Sequence, residues 1–178
     1  VSALPAEALR ALDITRIQGL DTVVPNLIIG DAPSNGLGTI VYIRGVGAIS
    51  VSAYSDPPIG IYIDGVVQAR PVGNASDLPD FDRVEVLRGP QGTLYGKNTT
   101  AGAINVITNA PSFSPEGNFE SSAGNLDYYQ LKGAVSGPLT DNLAFRIAGS
   151  ATKRQGTIHN LANDKYLNDK DSVAGRAS

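Results

Sequence analysis

Residues 80–111 read DFDRVEVLRGPQGTLYGKNTTAGAINVITNAP, and this stretch decides the fold. It opens on a strand-like alternation: Val84, Val86 and Leu87 lie between or beside Arg83, Glu85 and Arg88. A turn built on Gly89, Pro90 and Gly92 follows, then Gly96, the polar run Lys97–Asn98–Thr99–Thr100, and Gly102. A β-rich run from Ala103 to Thr108 closes it. The local chemistry spells strand, glycine-dependent loop, strand.

A strand feeding a glycine-rich loop suggests phosphate binding, and the residues reject it. A phosphate loop of the G-x-x-x-x-G-K-[ST] type needs Gly five residues before its second Gly, and a hydroxyl after the Lys for Mg²⁺. Before Gly96 that position holds Gln91, and Asn98 follows Lys97. The dinucleotide pattern G-x-G-x-x-G is also missing from the stretch.

The stretch resembles the signature of the plug domain of TonB-dependent outer-membrane receptors. The resemblance runs through Asp82–Arg83–Val84–Glu85–Val86–Leu87–Arg88–Gly89–Pro90, then Gln91 to Gly96, then Gly102 to Thr108. Upstream, Ile43–Arg44–Gly45 and Ile61–Tyr62–Ile63–Asp64–Gly65–Val66 are similar to the same domain. The resemblance implies an α+β plug domain, a small mixed sheet with short helices, over residues 1–111. The first antiparallel strands of a transmembrane β-barrel would follow over 112–178.

Composition agrees with such a chain. Of its 178 residues 42% are hydrophobic and only 17% charged, and 20 Gly with 11 Pro favour β-structure with many turns over a helical bundle. A net charge of −3 carries no basic footprint, which argues against a nucleic-acid partner. Without cysteine there is no disulfide and no thiolate metal site. No apolar run is long enough for a transmembrane helix, whereas barrel strands leave only a weak alternating signal. The chain opens on Val1–Ser2–Ala3–Leu4–Pro5 and ends inside a strand-like run, so it reads as an internal fragment.

In chain order, Ser2 to Leu12 predicts a short helix capped by Ser2, and Thr15 caps a second one ending before Pro25. Strands are expected at Leu27–Ile29, Thr39–Ile43 and Ile59–Ile63, with Asp64–Gly65 a two-residue hairpin turn into Val66 and Val67. After Pro111 the period changes. In 128–136, Tyr129, Leu131 and Val135 share one face, opposite Gln130, Lys132, Ala134 and Ser136. In 143–152, Leu143, Phe145, Ile147 and Ala151 oppose Arg146, Ser150 and Thr152. Residues 137–142 form the turn between them, 117–124 the preceding strand, and 155–172 a long polar loop. A soluble sheet with one buried face has the same alternation; a bilayer-length hairpin with a short turn at one end and a long polar loop at the other suits a barrel.

No catalytic constellation emerges, so the chain does not read as an enzyme. His159 stands alone in the polar loop, and the acidic groups Asp77, Asp80, Asp82 and Asp164, Asp169, Asp171 lack calcium-loop spacing and read as solvated surface. No metal site or cofactor is predicted. Arg44, Glu85 and Arg88 sit in or beside β-rich runs where a buried charge needs a partner. The resemblance implies that these plug charges meet the barrel wall, with Arg44 and Arg88 paired to carboxylates downstream of residue 178. It also places the outward plug loops near 47–57 and 69–77, where Tyr54 and Arg70 are the most ligand-like side chains.

The function that the resemblance implies is energy-coupled uptake of a scarce solute across a Gram-negative outer membrane. The partners would be the TonB protein, through a segment upstream of Val1, the outer-membrane lipid, and a small-molecule ligand such as an iron chelate. A ferric siderophore is the first expectation. Glycan, vitamin B12, haem, another nutrient, or a signalling role are the alternatives.

Overall fold

The computed structural model describes the chain except for residues 13, 15, 32–38, 49–55, 69–79 and 162–163. Two compact units form, Val1–Ser76 with Phe81–Thr108, and Asp77–Asp80 with Asn109–Ser178.

The first unit contains β1 (Ser2–Pro5), α1 (Ala6–Ala11), a 3-10 turn (Ile17–Thr22), β2 (Leu27–Asp31), β3 (Thr39–Ile43), β4 (Val46–Gly47), β5 (Ile59–Ile63), β6 (Val66–Val67), β7 (Phe81–Arg88), α2 (Gly92–Tyr95) and β8 (Gly102–Thr108). Five strands make a mixed sheet in the order β1-β7-β8-β5-β6, and β2-β3-β4 make a second, antiparallel sheet. Only the β5–β8 pairing of the mixed sheet is parallel. The alternation in β7 has a direct cause: Val84 and Val86 are fully buried, while Glu85 between them is half-buried and Asp82 and Arg83 before them are exposed. Ile104 and Val106 of β8, Ile61 of β5 and Leu9 of α1 are also buried.

The hairpin at Asp64–Gly65 is as expected, with φ of 49° and 79° at its two central residues. Arg44–Gly45 makes a second turn of the same kind, φ 53° and 80°, joining β3 to β4. The helix expected from Ser2 is shortened. Ser2–Pro5 is a strand because it pairs with Arg83–Val86 of β7, and the helix begins after Pro5. Ser2 therefore caps nothing. Instead of a second α-helix the chain makes one 3-10 segment, Ile17–Thr22, where Gly19 and the β-branched Ile17 and Thr22 are poor α-helix formers. Thr15 lies outside the described residues.

In the second unit, β9 (Glu116–Gly124), β10 (Tyr128–Thr140), β11 (Leu143–Arg154) and β14 (Lys170–Ala177) form an antiparallel sheet in the order β14-β11-β10-β9. β10 and β11 run past their expected ends, leaving only Asp141–Asn142 in the turn. The polar loop contains a small hairpin, β12 (Ile158–Asn160) with β13 (Lys165–Leu167), which the hydrophilic composition concealed.

Candidate functional site

The register of the four-stranded sheet sorts its side chains by chemistry. One face carries the cross-strand rows Ala123–Tyr129–Lys153–Asp171, Ser121–Leu131–Ala151–Val173, Phe119–Gly133–Gly149–Gly175 and Gly117–Val135–Ile147–Ala177. The other carries Ser122–Gln130–Thr152–Ser172, Glu120–Lys132–Ser150–Ala174 and Asn118–Ala134–Ala148–Arg176, and then Glu116–Ser136–Arg146. The apolar face is the exposed one: Phe119, Leu131, Val135, Ile147 and Val173 are 74%, 50%, 48%, 53% and 82% accessible. On the polar face Gln130, Ser136, Ser150 and Thr152 are buried, and Gln130 Nε2 donates to Thr152 Oγ1 at 2.9 Å. A sheet with hydrocarbon outside and amides, hydroxyls and charges inside reverses the arrangement of a water-soluble protein and suits a barrel wall in lipid.

A charged cluster sits at the foot of that polar face. Arg146 forks onto Asp80, Nε to Oδ2 at 2.5 Å and Nη2 to Oδ1 at 2.8 Å. Its Nη1 donates to Glu116 Oε1 at 2.8 Å. Asn109 Nδ2 donates to Asp80 Oδ1 at 2.6 Å, and Arg176 Nη1 donates to the Asn109 carbonyl at 3.1 Å. The Asp80 side chain is 1% exposed and that of Arg146 9%. Burial alone would raise the Asp80 carboxyl. Hydrogen bonds from Arg146 and Asn109, with the charges of Arg146 and Arg176, outweigh it and hold the carboxyl below its ordinary value. Asp80 is thus not a solvated surface acid. An arginine among the polar positions of a strand signals that a carboxylate is needed, but Asp80 lies 66 residues away in sequence.

In the first unit the signature loop is clamped from within. The Tyr62 hydroxyl donates to the Tyr95 carbonyl, and the two rings meet edge to face at 4.9 Å. Fully buried Thr99 donates to the Gly96 carbonyl at 2.7 Å. At the base of the loop, Gly102 has φ 157°, and a Cβ there would collide with the Leu87 carbonyl oxygen. Asp64 reaches β8, accepting from Thr108 N at 2.8 Å and Thr108 Oγ1 at 2.6 Å.

The three plug charges singled out from sequence do not form one cluster. Glu85 accepts from Arg83 Nε at 2.8 Å and from Asn105 Nδ2 at 3.4 Å. Arg88 points to the other side of β7 and makes long contacts, 3.4 Å each, with the Pro25 carbonyl and Ser2 Oγ. Arg44 is an exposed turn residue whose backbone N–H donates to the Asn26 carbonyl at 2.8 Å. Arg88 and Arg44 thus converge on the Pro25–Asn26 turn, one by side chain and one by backbone. Tyr54 and Arg70 lie outside the described residues. His159 pairs with Asp164 Oδ1 at 2.7 Å and packs on Tyr166. An open recess of about 530 Å³ at the loop end of the sheet is lined by Tyr129, Tyr166, Lys153 and Arg154, among others, but also by Asp169 and Asp171. Its charges are too balanced to select an anion. Among the described residues no group of three His, Cys, Asp or Glu could hold a metal ion.

The sequence profile of the TonB-dependent Receptor Plug Domain matches residues 1–103. The chain belongs to this family. Receptors similar to it include the pesticin receptor of Yersinia pestis, 36% identical over 151 residues, which covers 85% of this chain and 21% of that protein. The ferripyoverdine receptor of Pseudomonas aeruginosa is 34% identical over 137 residues, covering 68% of this chain and 17% of that one. Among solved structures, the ferric yersiniabactin uptake receptor FyuA from Yersinia pestis superposes with a TM-score of 0.84 at 31% identity, over 99% of this chain and 28% of FyuA. The chain spans about a fifth of the length of the curated relatives it matches. As a TonB-dependent receptor it belongs to a Gram-negative outer membrane, and its mixed sheet with short helices is the plug fold.

Proposed function

We propose that the protein imports a ferric siderophore across the outer membrane, with energy supplied through TonB. The observation that carries the reading is a plug fold and an inside-out sheet in one chain. The siderophore class comes from the relatives, whose names include receptors for ferric pyoverdine, ferric enterobactin and catecholate siderophores. Residues 1–111 serve as plug and 112–178 as the first wall strands, with the exposed face of Phe119, Leu131, Ile147 and Val173 against lipid. Solute binding and transport need no covalent step, and we assign no catalytic residue.

In this reading Arg44, Glu85 and Arg88 meet parts of the barrel wall beyond residue 178, and Tyr54 and Arg70 belong to the ligand-facing plug loops. The test is uptake of radioactive iron by cells whose only siderophore receptor is the full-length protein, with and without functional TonB. Uptake of one chelate class that disappears without TonB supports the proposal. TonB-independent uptake, or no uptake of any chelate by a correctly inserted receptor, overturns it and moves the assignment to another nutrient.

A further inference from the structure

The recess at the loop end of the four-stranded sheet is lined only by residues of the second unit, and about 530 Å³ is within the range of small-molecule sites. Three connections shape it. The chain after β11 is tied to the β9–β10 turn, where Gln155 N donates to the Leu126 carbonyl at 2.7 Å. Gly156 lets the β12–β13 hairpin close in, since a Cβ there would collide with the Leu167 carbonyl oxygen. Arg154 Nη2 donates to the Asn168 carbonyl at 3.1 Å and so fixes the approach to β14. Two aromatic rings, Tyr129 and Tyr166, are exposed in the lining. Tyr166 packs against His159 with ring centroids 5.0 Å apart, and Asp164 holds that imidazole at 2.7 Å, so the ring is steadied by its own hairpin.

The lining excludes most ligand classes. Its carboxylates are matched by its cations, three of each, so neither a bare anion nor a bare cation is favoured. Arg154 Nε is buried with no hydrogen-bond partner among the described residues, a cost that an apolar ligand would leave in place and an oxygen acceptor would remove. A neutral polyol meets every demand. Each hydroxyl both donates and accepts, so it suits carboxylates and cations alike, and the C–H face of a pyranose ring lies flat on a tyrosine. Tyr129, Lys153 and Asp171 form one cross-strand row. With strands about 4.8 Å apart the row is about 10 Å long, enough for one or two linked hexose rings. We propose that this recess is a saccharide subsite, in which a neutral hexose stacks on tyrosine and its hydroxyls engage Arg154 and Asp171. Two sources carry such a ring: the sugar chain of a membrane glycolipid, and a soluble oligosaccharide. The glycolipid source rests on the membrane reading of the wall, where Tyr129 and Lys153 belong to the exposed face; the subsite itself does not depend on the siderophore reading.

The test is saturation-transfer NMR on the full-length receptor in a sugar-free detergent. The probes are glucose, mannose and galactose trisaccharides, the lipid-free sugar chain released by mild acid from the host's own membrane glycolipid, and inorganic phosphate as the charged control. The expected result is saturation of at least one sugar probe and no displacement of it by phosphate. Tyr166→Ala and Arg154→Gln should each weaken the binding about tenfold, while Tyr166→Phe keeps it. Arg154→Gln decides the matter if Tyr166→Ala disturbs the hairpin. Binding of the glycolipid sugar chain assigns the membrane source, and binding of the trisaccharides alone assigns a soluble one. No saturation of any sugar, equal binding by wild type and Arg154→Gln, or displacement by phosphate overturns the subsite. Iron uptake by the Arg154→Gln receptor should equal that of wild type; a loss there would give the recess to the chelate instead of a sugar, and uptake absent from both would count against the siderophore reading alone.

Discussion

Replacing Val135 with arginine separates a lipid-facing sheet from a soluble one by the sign of the effect. On β11 the exposed face runs from Leu143 to Lys153. Ten steps of about 3.4 Å make about 34 Å along the strand. At a barrel tilt near 40° this is about 26 Å of height, close to the apolar band of an outer-membrane barrel. Its midpoint falls at Ala148, which pairs with Ala134, and Val135 is one residue away, opposite Ile147. Arginine at that depth on a lipid-facing wall costs about 3 kcal/mol, roughly a hundredfold in the folded-to-unfolded ratio. Asn118 pairs with Ala134, so it lies at the same depth on the opposite face. Asn118→Arg should cost less than about 0.5 kcal/mol, as an exposed surface substitution does. The assay is denaturant unfolding of the full-length receptor refolded into lipid vesicles, wild type against each variant. If Val135→Arg is neutral or stabilising, the exposed face meets water and the membrane assignment fails. If Asn118→Arg is the costly change, the faces have been assigned the wrong way round.

Three further outcomes are expected. Asp80→Asn should destabilise the full-length receptor by about 3 kcal/mol at neutral pH, the low end for breaking a buried pair, because Glu116 still neutralises part of Arg146. The folded-state carboxyl is depressed, so the wild-type advantage is full above the ordinary aspartate range and fades as pH falls through the lower folded value; melting temperatures against pH should converge there, and a constant gap would refute the ionic account. Gly102→Ala should lower plug stability by several kcal/mol, since the Leu87 carbonyl occupies the space and φ is 157°; protease sensitivity of residues 89–101 in the assembled receptor reports it, and an unchanged digestion pattern counts against the close approach. Tyr62→Phe removes the hydroxyl bond to the Tyr95 carbonyl but keeps the ring contact, so it should cost about 1 kcal/mol, while Tyr62→Ala should cost clearly more; equal losses would mean that the hydrogen bond carries the clamp alone.

Much of the fold was legible because it depends on local backbone demands. Asp64–Gly65 takes positive φ at both positions, as a two-residue hairpin requires, and Asp-Gly declares it. Period-two alternation in 128–136 and 143–152 marked the two faces of the wall, and it assigned Arg146 to the polar one. The misses have two origins, partners distant in sequence and a turn residue of unusual type. β1 is a strand because β7 lies beside it, although its residues also suit the start of a helix. The Arg44–Gly45 turn hid because Arg is an unusual residue at φ 53°. Asp80 read as one of three surface acids because nothing near it in sequence shows that Arg146 and Asn109 will enclose it.

The sequence by itself determined the family, the strand-loop-strand signature with its glycines, and the change of period after Pro111, since each follows from neighbours a few residues apart. The tertiary structure alone decided which strands pair across long separations, such as β5 beside β8, which face of the wall is buried, and where Arg146 finds its carboxylate. Those outcomes turn on burial and on charge pairing between residues tens of positions apart. The energy of a buried ion pair depends on the distance and solvent access that folding sets, and neither can be read from the order of residues.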